Sequence, residues 1–159
     1  MTIQYGLQMT QKLTDFLNSA KNKQYATQTG TRIHALLRNI VIDDVRGDVG
    51  DADIIKNIRN TPDLCKYFCA TAKTEVPIAG FINDVFVSRR IDRMIIDDTN
   101  KQICFIDYKS DTDKTIFADK YKKQLSEYAL LLRSAYPNYK IIGAILWLHD
   151  WQIQQIVSL

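Results

Sequence analysis

The tightest constraint on the fold is a pair of apolar runs, within Gln102–Ser110 and Tyr139–Leu148, separated by the longest helical pattern in the chain. Apolar runs without polar alternation suit strands buried on both faces. Between them, Ile116–Ala135 sets Phe117, Tyr121, Leu125, Tyr128 and Leu132 down one side of a helix, with Lys120, Lys122, Lys123 and Arg133 around it. Pro137 lies just beyond the end of that pattern, as a helix stop should. The three segments predict a strand, helix, strand crossover and hence an α/β fold.

The first run ends in Asp107-Tyr108-Lys109. Side chains alternate along a strand, so Asp107 and Lys109 share a face while Tyr108 points to the other. Two readings stay open: a structural ion pair at a strand end, or a carboxylate that holds a hard divalent cation beside a lysine that offsets charge on a phosphate. Upstream, Thr74–Ile78, Asn83–Ser88 and Ile91–Ile96 are short, β-branched and separated by turn-like residues, which predicts an antiparallel meander. A turn at Asp97-Asp98-Thr99-Asn100 would pair Ile91–Ile96 with Ile103–Lys109 and bring Asp92 and Asp107 together on one sheet face. That supplies the oxygen cluster a magnesium-type ion requires. Gln124 and Tyr128, four apart on the long helix, stack their polar tips on one face, where they could meet phosphates or bases; a Tyr on an apolar stripe is also ordinary core.

The remaining segments read more simply. Leu7–Lys21 and Arg32–Ile40 carry amphipathic helical patterns, the second with Ile33, Leu36, Leu37 and Ile40 as its stripe and His34 near its start. On that segment alone, a hydrogen-bonded polar residue is the commoner role for such a histidine. Asp43–Asp53 lacks the spacing of a calcium loop and reads as a solvated loop before a short helix over Ala52–Arg59. Thr61-Pro62 reads as the N-cap and first turn of a helix carrying Leu64, Tyr67 and Phe68, and Trp151–Val157 as an edge strand. Cys65 and Cys69 are too few for a zinc or iron-sulfur site and read as buried thiols on a helix. With an odd count of three cysteines and no signal-peptide pattern, a reducing, cytoplasmic setting is expected. A chain of 159 residues can bury one core without disulfides, and its net charge of +3 tolerates an anionic partner. No apolar run approaches the roughly twenty residues of a membrane span. Phosphate-loop, dinucleotide and serine-hydrolase motifs are missing, so no nucleotide cofactor is expected.

Taken in order, Gly30-Thr31-x-x-His34, Glu75-x-Pro77, Ile91-Asp92-Arg93, Asp107-Tyr108-Lys109-Ser110 and Gln124-Leu125-x-x-Tyr128 resemble the motif series of the RecB-like PD-(D/E)XK nucleases. The likeness is greatest to the C-terminal nuclease domain of AddA-type helicase-nucleases. It implies a restriction-endonuclease-like mixed β-sheet flanked by helices, in a single domain with residues 1–29 as a helical extension and 30–159 as the nuclease core. It implies His34, Asp92, Asp107 and the Tyr108 backbone carbonyl as ligands of Mg2+ or Mn2+. Asp92, Asp107, Lys109, Gln124 and Tyr128 would be the catalytic set, Glu75 a helper that orders water or a second ion, and Arg89, Arg90 and the helix lysines guides for the nucleic-acid backbone. The implied activity is hydrolysis of DNA phosphodiesters, as an exonuclease on single-stranded ends in double-strand break repair, beside a helicase domain or subunit. The chain has no room for the helicase motor itself, which leaves an excised domain, a remnant or a stand-alone nuclease. It departs from the AddA-type pattern at Arg90, where glycine is usual, and at Asp111-Thr112-Asp113-Lys114, where an Asn-Arg-Pro-like continuation is usual. The competing readings are a nuclease-like module that no longer cuts but binds DNA or a helicase partner, and a structural protein in which Asp107 and Lys109 are simply an ion pair.

Overall fold

Five strands form one mixed sheet in a computed structural model that describes residues 30–159. The helical segments are α1 (residues 30–38), α2 (Ala52–Asn60) and α3 (Ala118–Ala135), with a 3-10 turn at Cys65–Phe68. The strands, β1 (Lys73–Ile82), β2 (Val85–Asp97), β3 (Gln102–Lys109), β4 (Lys140–Trp147) and β5 (Gln152–Ser158), lie side by side in sequence order. The first three form an antiparallel meander, β4 runs parallel to β3, and β5 returns antiparallel to β4. The single parallel step is the one that contains α3, because a parallel neighbour can be reached only by a long crossover. The α/β class and the helix-flanked mixed sheet expected from the sequence are therefore what the chain adopts.

The chain divides into two units, Met1–Ile33 and His34–Leu159, and the sheet belongs to the second. The amphipathic segment Leu7–Lys21 lies outside the described residues.

One sheet face packs on α3. Ile91, Met94, Ile103, Phe105, Ile141, Ile145 and Trp147 meet Tyr121, Leu125, Tyr128, Ala129 and Leu132 there. Each such side chain contributes about 1.5–3 kcal/mol on burial. Gly143 is needed in this layer, because a Cβ on it would come within 2.3 Å of the Phe105 ring tip. The opposite face carries Arg93 and Tyr108 and is covered by the 3-10 turn and the end of α1.

Three sequence expectations need correction. Thr61 does not open a helix; it closes α2, its N–H bonding Ile58 O and its hydroxyl donating to Asn57 O at 2.8 Å. Pro62 disfavours helical backbone at Thr61, and Asp63 follows with φ 62°, so only a 3-10 turn forms, although Leu64, Tyr67 and Phe68 are buried as expected. Cys65 and Cys69 accordingly do not stack on a helix face and are half-buried. Finally, Asn83–Ser88 and Ile91–Ile96 are not separate strands but one 13-residue strand, β2, because Arg89 and Arg90 continue the ladder rather than turning it.

Candidate active site

The site forms where the ladders around Asp92 are interrupted. Pairing of β2 with β3 runs from Asp97↔Gln102 to Arg93↔Ile106, and pairing of β1 with β2 skips from Thr74↔Arg93 to Val76↔Ile91. Asp92 lies at both breaks, opposite Glu75, whose φ of 54° is a strained value for a residue with a Cβ. Ile91 and Met94, three apart, both reach the α3 core, so side-chain alternation slips by one between them. With the strands parted, the Asp92 carboxylate takes the place of a backbone acceptor: Tyr108 N donates to Oδ2 at 2.7 Å.

Asp107 stands beside it and is only 3% exposed. The hydroxyl of Tyr128 and the amide of Gln124 each reach its Oδ1 at 3.4 Å, and Gln124 Nε2 also donates to the Tyr128 hydroxyl at 2.6 Å. Oδ2 is in ion-pair contact with Lys109 Nζ. Burial, reinforced by the neighbouring charge of Asp107, pushes the Asp92 carboxyl up to about 7, against the opposing pull of the Tyr108 N–H and of Lys109. The β2–β3 hairpin forms as expected, and Asp107 lies near enough for its charge to raise Asp92.

Lys109 is held from three sides. It contacts Asp107, donates to Gln124 Oε1 at 3.1 Å, and places Nζ 4.6 Å from the centre of the Tyr121 ring. Tyr121 in turn donates its hydroxyl to Asp111. Burial and that carboxylate hold the phenol above its usual pKa. Asp111 is one of the residues at which the chain departs from the AddA-type pattern, so the departure is occupied by a support for the lysine. The rest of that segment is also tied down: Asp113 accepts from the N–H groups of Thr115 and Ile116, and Lys114 donates to Asp150 at 2.6 Å and Gln152 at 2.7 Å.

His34, on α1, faces the same opening. Its Nδ1 is 3.7 Å from Asp92 Oδ1, and its ring sits edge-on to Tyr108 with centroids 5.2 Å apart. Burial holds the imidazole below its ordinary pKa, against the pull of Asp107, so it is neutral and keeps a lone pair at neutral pH. The Tyr108 side chain is buried on the far face, as expected. Glu75 pairs with Arg90 at 2.8 Å and lies near enough for its charge to raise both His34 and Asp92.

Two residues important to this geometry were not singled out by sequence reasoning. Tyr121 was read as core, yet its ring face carries Lys109; its place three residues before Gln124, one helical turn away, was the available signal. Arg93 was only part of a triplet. It is 1% exposed and has no carboxylate on it among the described residues. Its guanidinium donates to Leu37 O at 2.6 Å, to Ile40 O and Tyr67 O at 3.3 Å, and to Tyr108 Oη at 3.0 Å, and lies 4.1 Å from the Phe68 ring centre. The carbonyl end of a helix favours a cation. Arg93 therefore clamps the end of α1 to the sheet and fixes the helix that carries His34 against the strands that carry Asp92 and Asp107.

A cleft of about 550 Å3 opens beside Lys109, lined by Arg89, Lys120, Tyr121, Lys123, Gln124 and Glu127. Tyr128 does not reach it; its hydroxyl lies behind Asp107. The donor set fits a hard divalent cation in kind: two carboxylates, an imidazole held below its ordinary pKa, and backbone oxygen at Tyr108. Among the described residues, no three His, Cys, Asp or Glu side chains are gathered closely enough to close around an ion. No helix among them is long and apolar enough to cross a membrane.

No protein-family model and no curated protein matches the sequence. Among solved structures, a Eubacterium rectale protein described as a putative exonuclease is similar at a TM-score of 0.43 and 17% identity. The match covers 89% of this chain and 58% of that one, so this chain spans little more than half of that protein's length. The functional reading rests on the site itself.

Proposed function

We propose that the protein is a metal-dependent nuclease that hydrolyses phosphodiester bonds in DNA. The observation that carries this reading is the Asp92 and Asp107 pair, a half-buried and a buried carboxylate set at an opened strand end beside Lys109 and a basic cleft. The Asp92 carboxyl, pushed up to about 7 beside a second carboxylate, is the kind of perturbed group that clusters at functional sites. His34, Asp92, Asp107 and the Tyr108 carbonyl would hold Mg2+ or Mn2+. The ion would supply Lewis-acid polarisation of a phosphoryl oxygen and acidify the attacking water. Lys109, already directed by Gln124 and Tyr121, offers a point charge to the phosphate as negative charge grows there. Gln124 and Tyr128 orient Asp107, and Arg93 sets the distance between His34 and the strands. Arg89, Lys120 and Lys123 in the cleft suit the backbone of a nucleic acid without reading its sequence. We further propose exonucleolytic action on single-stranded ends, beside a helicase in double-strand break repair, from the motif resemblance alone.

The reading that the chain binds DNA or a helicase partner without cutting is favoured by one observation, the contact of Lys109 with the buried Asp107 oxygen. Purified protein separates the two. Labelled DNA should be degraded with Mg2+ or Mn2+, spared in EDTA, and spared by Asp107→Ala. Salt-dependent DNA binding without cleavage under any divalent ion would instead assign the non-cutting module.

A further inference from the structure

The β1–β2 hairpin continues past the site as an arm with two different faces. On one, Val87 is buried and Gly80 lies against Leu131 of α3. On the other, the cross-strand pairs Phe81↔Phe86, Ala79↔Ser88 and Pro77↔Arg90 are all exposed. At the tip, Asn83 and Asp84 adopt φ 49° and 61°, the left-handed pair of a tight two-residue turn, so the end of the arm is a defined structure. Phe81 is 73% exposed and Phe86 62%, and their rings meet edge to face with centroids 5.6 Å apart. A large apolar side chain gains nothing by facing water, and an aromatic pair at the end of an arm calls for a ligand.

Size and charge choose that ligand. Two partly covered phenyl rings offer on the order of 300 Å2. A standard protein–protein interface takes about 800 Å2 from each partner. The patch is too small for a protein partner and suits one or two planar rings. Between the ring pair and the next cation stand only the small Ala79 and Ser88, and then Arg90, 68% exposed at its side chain. Arg90 pairs with Glu75 at 2.8 Å, and Asp92 follows two residues on, roughly 20 Å from Phe86 at the usual rise of a strand. Aromatic faces followed by a guanidinium are the combination that holds unpaired bases and the backbone between them.

We propose that the exposed face of this hairpin is a stacking platform for unpaired bases of a single-stranded nucleic acid, whose backbone passes Arg90 on its way to Asp92. The choice of ligand rests on the nuclease reading above, but the proposal concerns binding and not cleavage. A duplex end has its bases stacked inside and offers this surface little; a single strand offers the face of every base.

The test is fluorescence anisotropy of the whole chain in EDTA with a labelled oligothymidylate, an abasic strand of equal length and charge, and a blunt duplex. The Phe81→Ala/Phe86→Ala double variant, whose side chains are exposed and whose melting temperature should match wild type, is expected to bind oligothymidylate about tenfold or more weakly and the abasic strand equally. Phe86→Trp should retain binding, with tryptophan fluorescence quenched by the strand. Equal oligothymidylate binding by wild type and the double variant, an equal loss on the abasic strand, or no binding by wild type would overturn the proposal. So would a protein self-association that the double variant abolishes. Cleavage with Mn2+, measured separately, distinguishes the two readings: a platform-dependent affinity without cleavage removes the nuclease and leaves the platform, and cleavage indifferent to the phenyl pair removes only the platform.

Discussion

Two acid-rich clusters in this chain have nearly the same ingredients and opposite electrostatics. In the loop before α2, Arg59 pairs with Asp48 at 2.7 Å and Asp44 at 2.8 Å, and Asp43 accepts from the N–H groups of Val45 and Arg46. Those bonds hold Asp48 and Asp43 below the ordinary carboxylate range and raise the Arg59 guanidinium. At the end of β3, a buried Asp107 and a half-buried Asp92 lie beside one half-buried lysine, and Asp92 is driven up to about 7. Exposed acids with donors to spare hold a loop together. Neighbouring acids that raise one another's pKa repel, and a cation is the natural relief.

Removing members of the two clusters should therefore have very different effects. The largest is expected for Lys109→Met, which removes the charge nearest the proposed phosphate and should lower kcat by about 100- to 1,000-fold in single-turnover cleavage. Asp92 gives a stability effect whose sign follows from its pKa. The folded state holds the Asp92 proton up to about 7, whereas the unfolded chain releases it near 3.8, so the folded state binds more protons between those values. Stability in EDTA should fall as pH rises from about 4 to about 7, by a few kcal/mol at most. Asp92→Asn should flatten that slope in urea titrations, and an unchanged slope would remove the buried-pair account. A smaller effect is expected at Tyr121: Tyr121→Leu, which deletes the ring under Lys109, should cost about 2- to 30-fold in kcat with KM little changed, and Tyr121→Phe should recover most of it. Smallest of all, Arg59→Ala should leave cleavage untouched and shift the melting temperature slightly, because exposed ion pairs contribute little.

Much of this contrast was legible in the residue order. The crossover could be read because burial on both faces leaves no polar alternation in β3 and β4, and the meeting of Asp92 with Asp107 followed from counting back from the Asp97–Asn100 turn. Asp43–Asp53 reads as a loop from its glycines and acids, and its Asp44 and Asp48 pair with Arg59. What stayed hidden was set by tertiary contacts. Arg93 reads as one more surface charge until the carbonyl end of α1 is placed over it. Tyr121 has the spacing of core and is core on one edge of its ring, while its face serves Lys109. Thr61-Pro62 has the composition of a helix start, and only the bond from Thr61 to Asn57 O shows it finishing the helix before. The strained backbone of Glu75, at the interruption that opens the sheet, leaves no mark on the sequence because it is imposed by the strands around it.

The central claim is that the neighbouring carboxylates of Asp92 and Asp107 form a cation site, and manganese binding followed by electron paramagnetic resonance tests it most directly. Wild-type protein should take up Mn2+ at one saturable site that weakens sharply in Asp107→Asn and in Asp92→Asn, with folding intact in both and no change in Arg59→Ala. Equal Mn2+ binding by wild type and Asp107→Asn, or none by wild type, would contradict the account and return Asp107 and Lys109 to a structural ion pair.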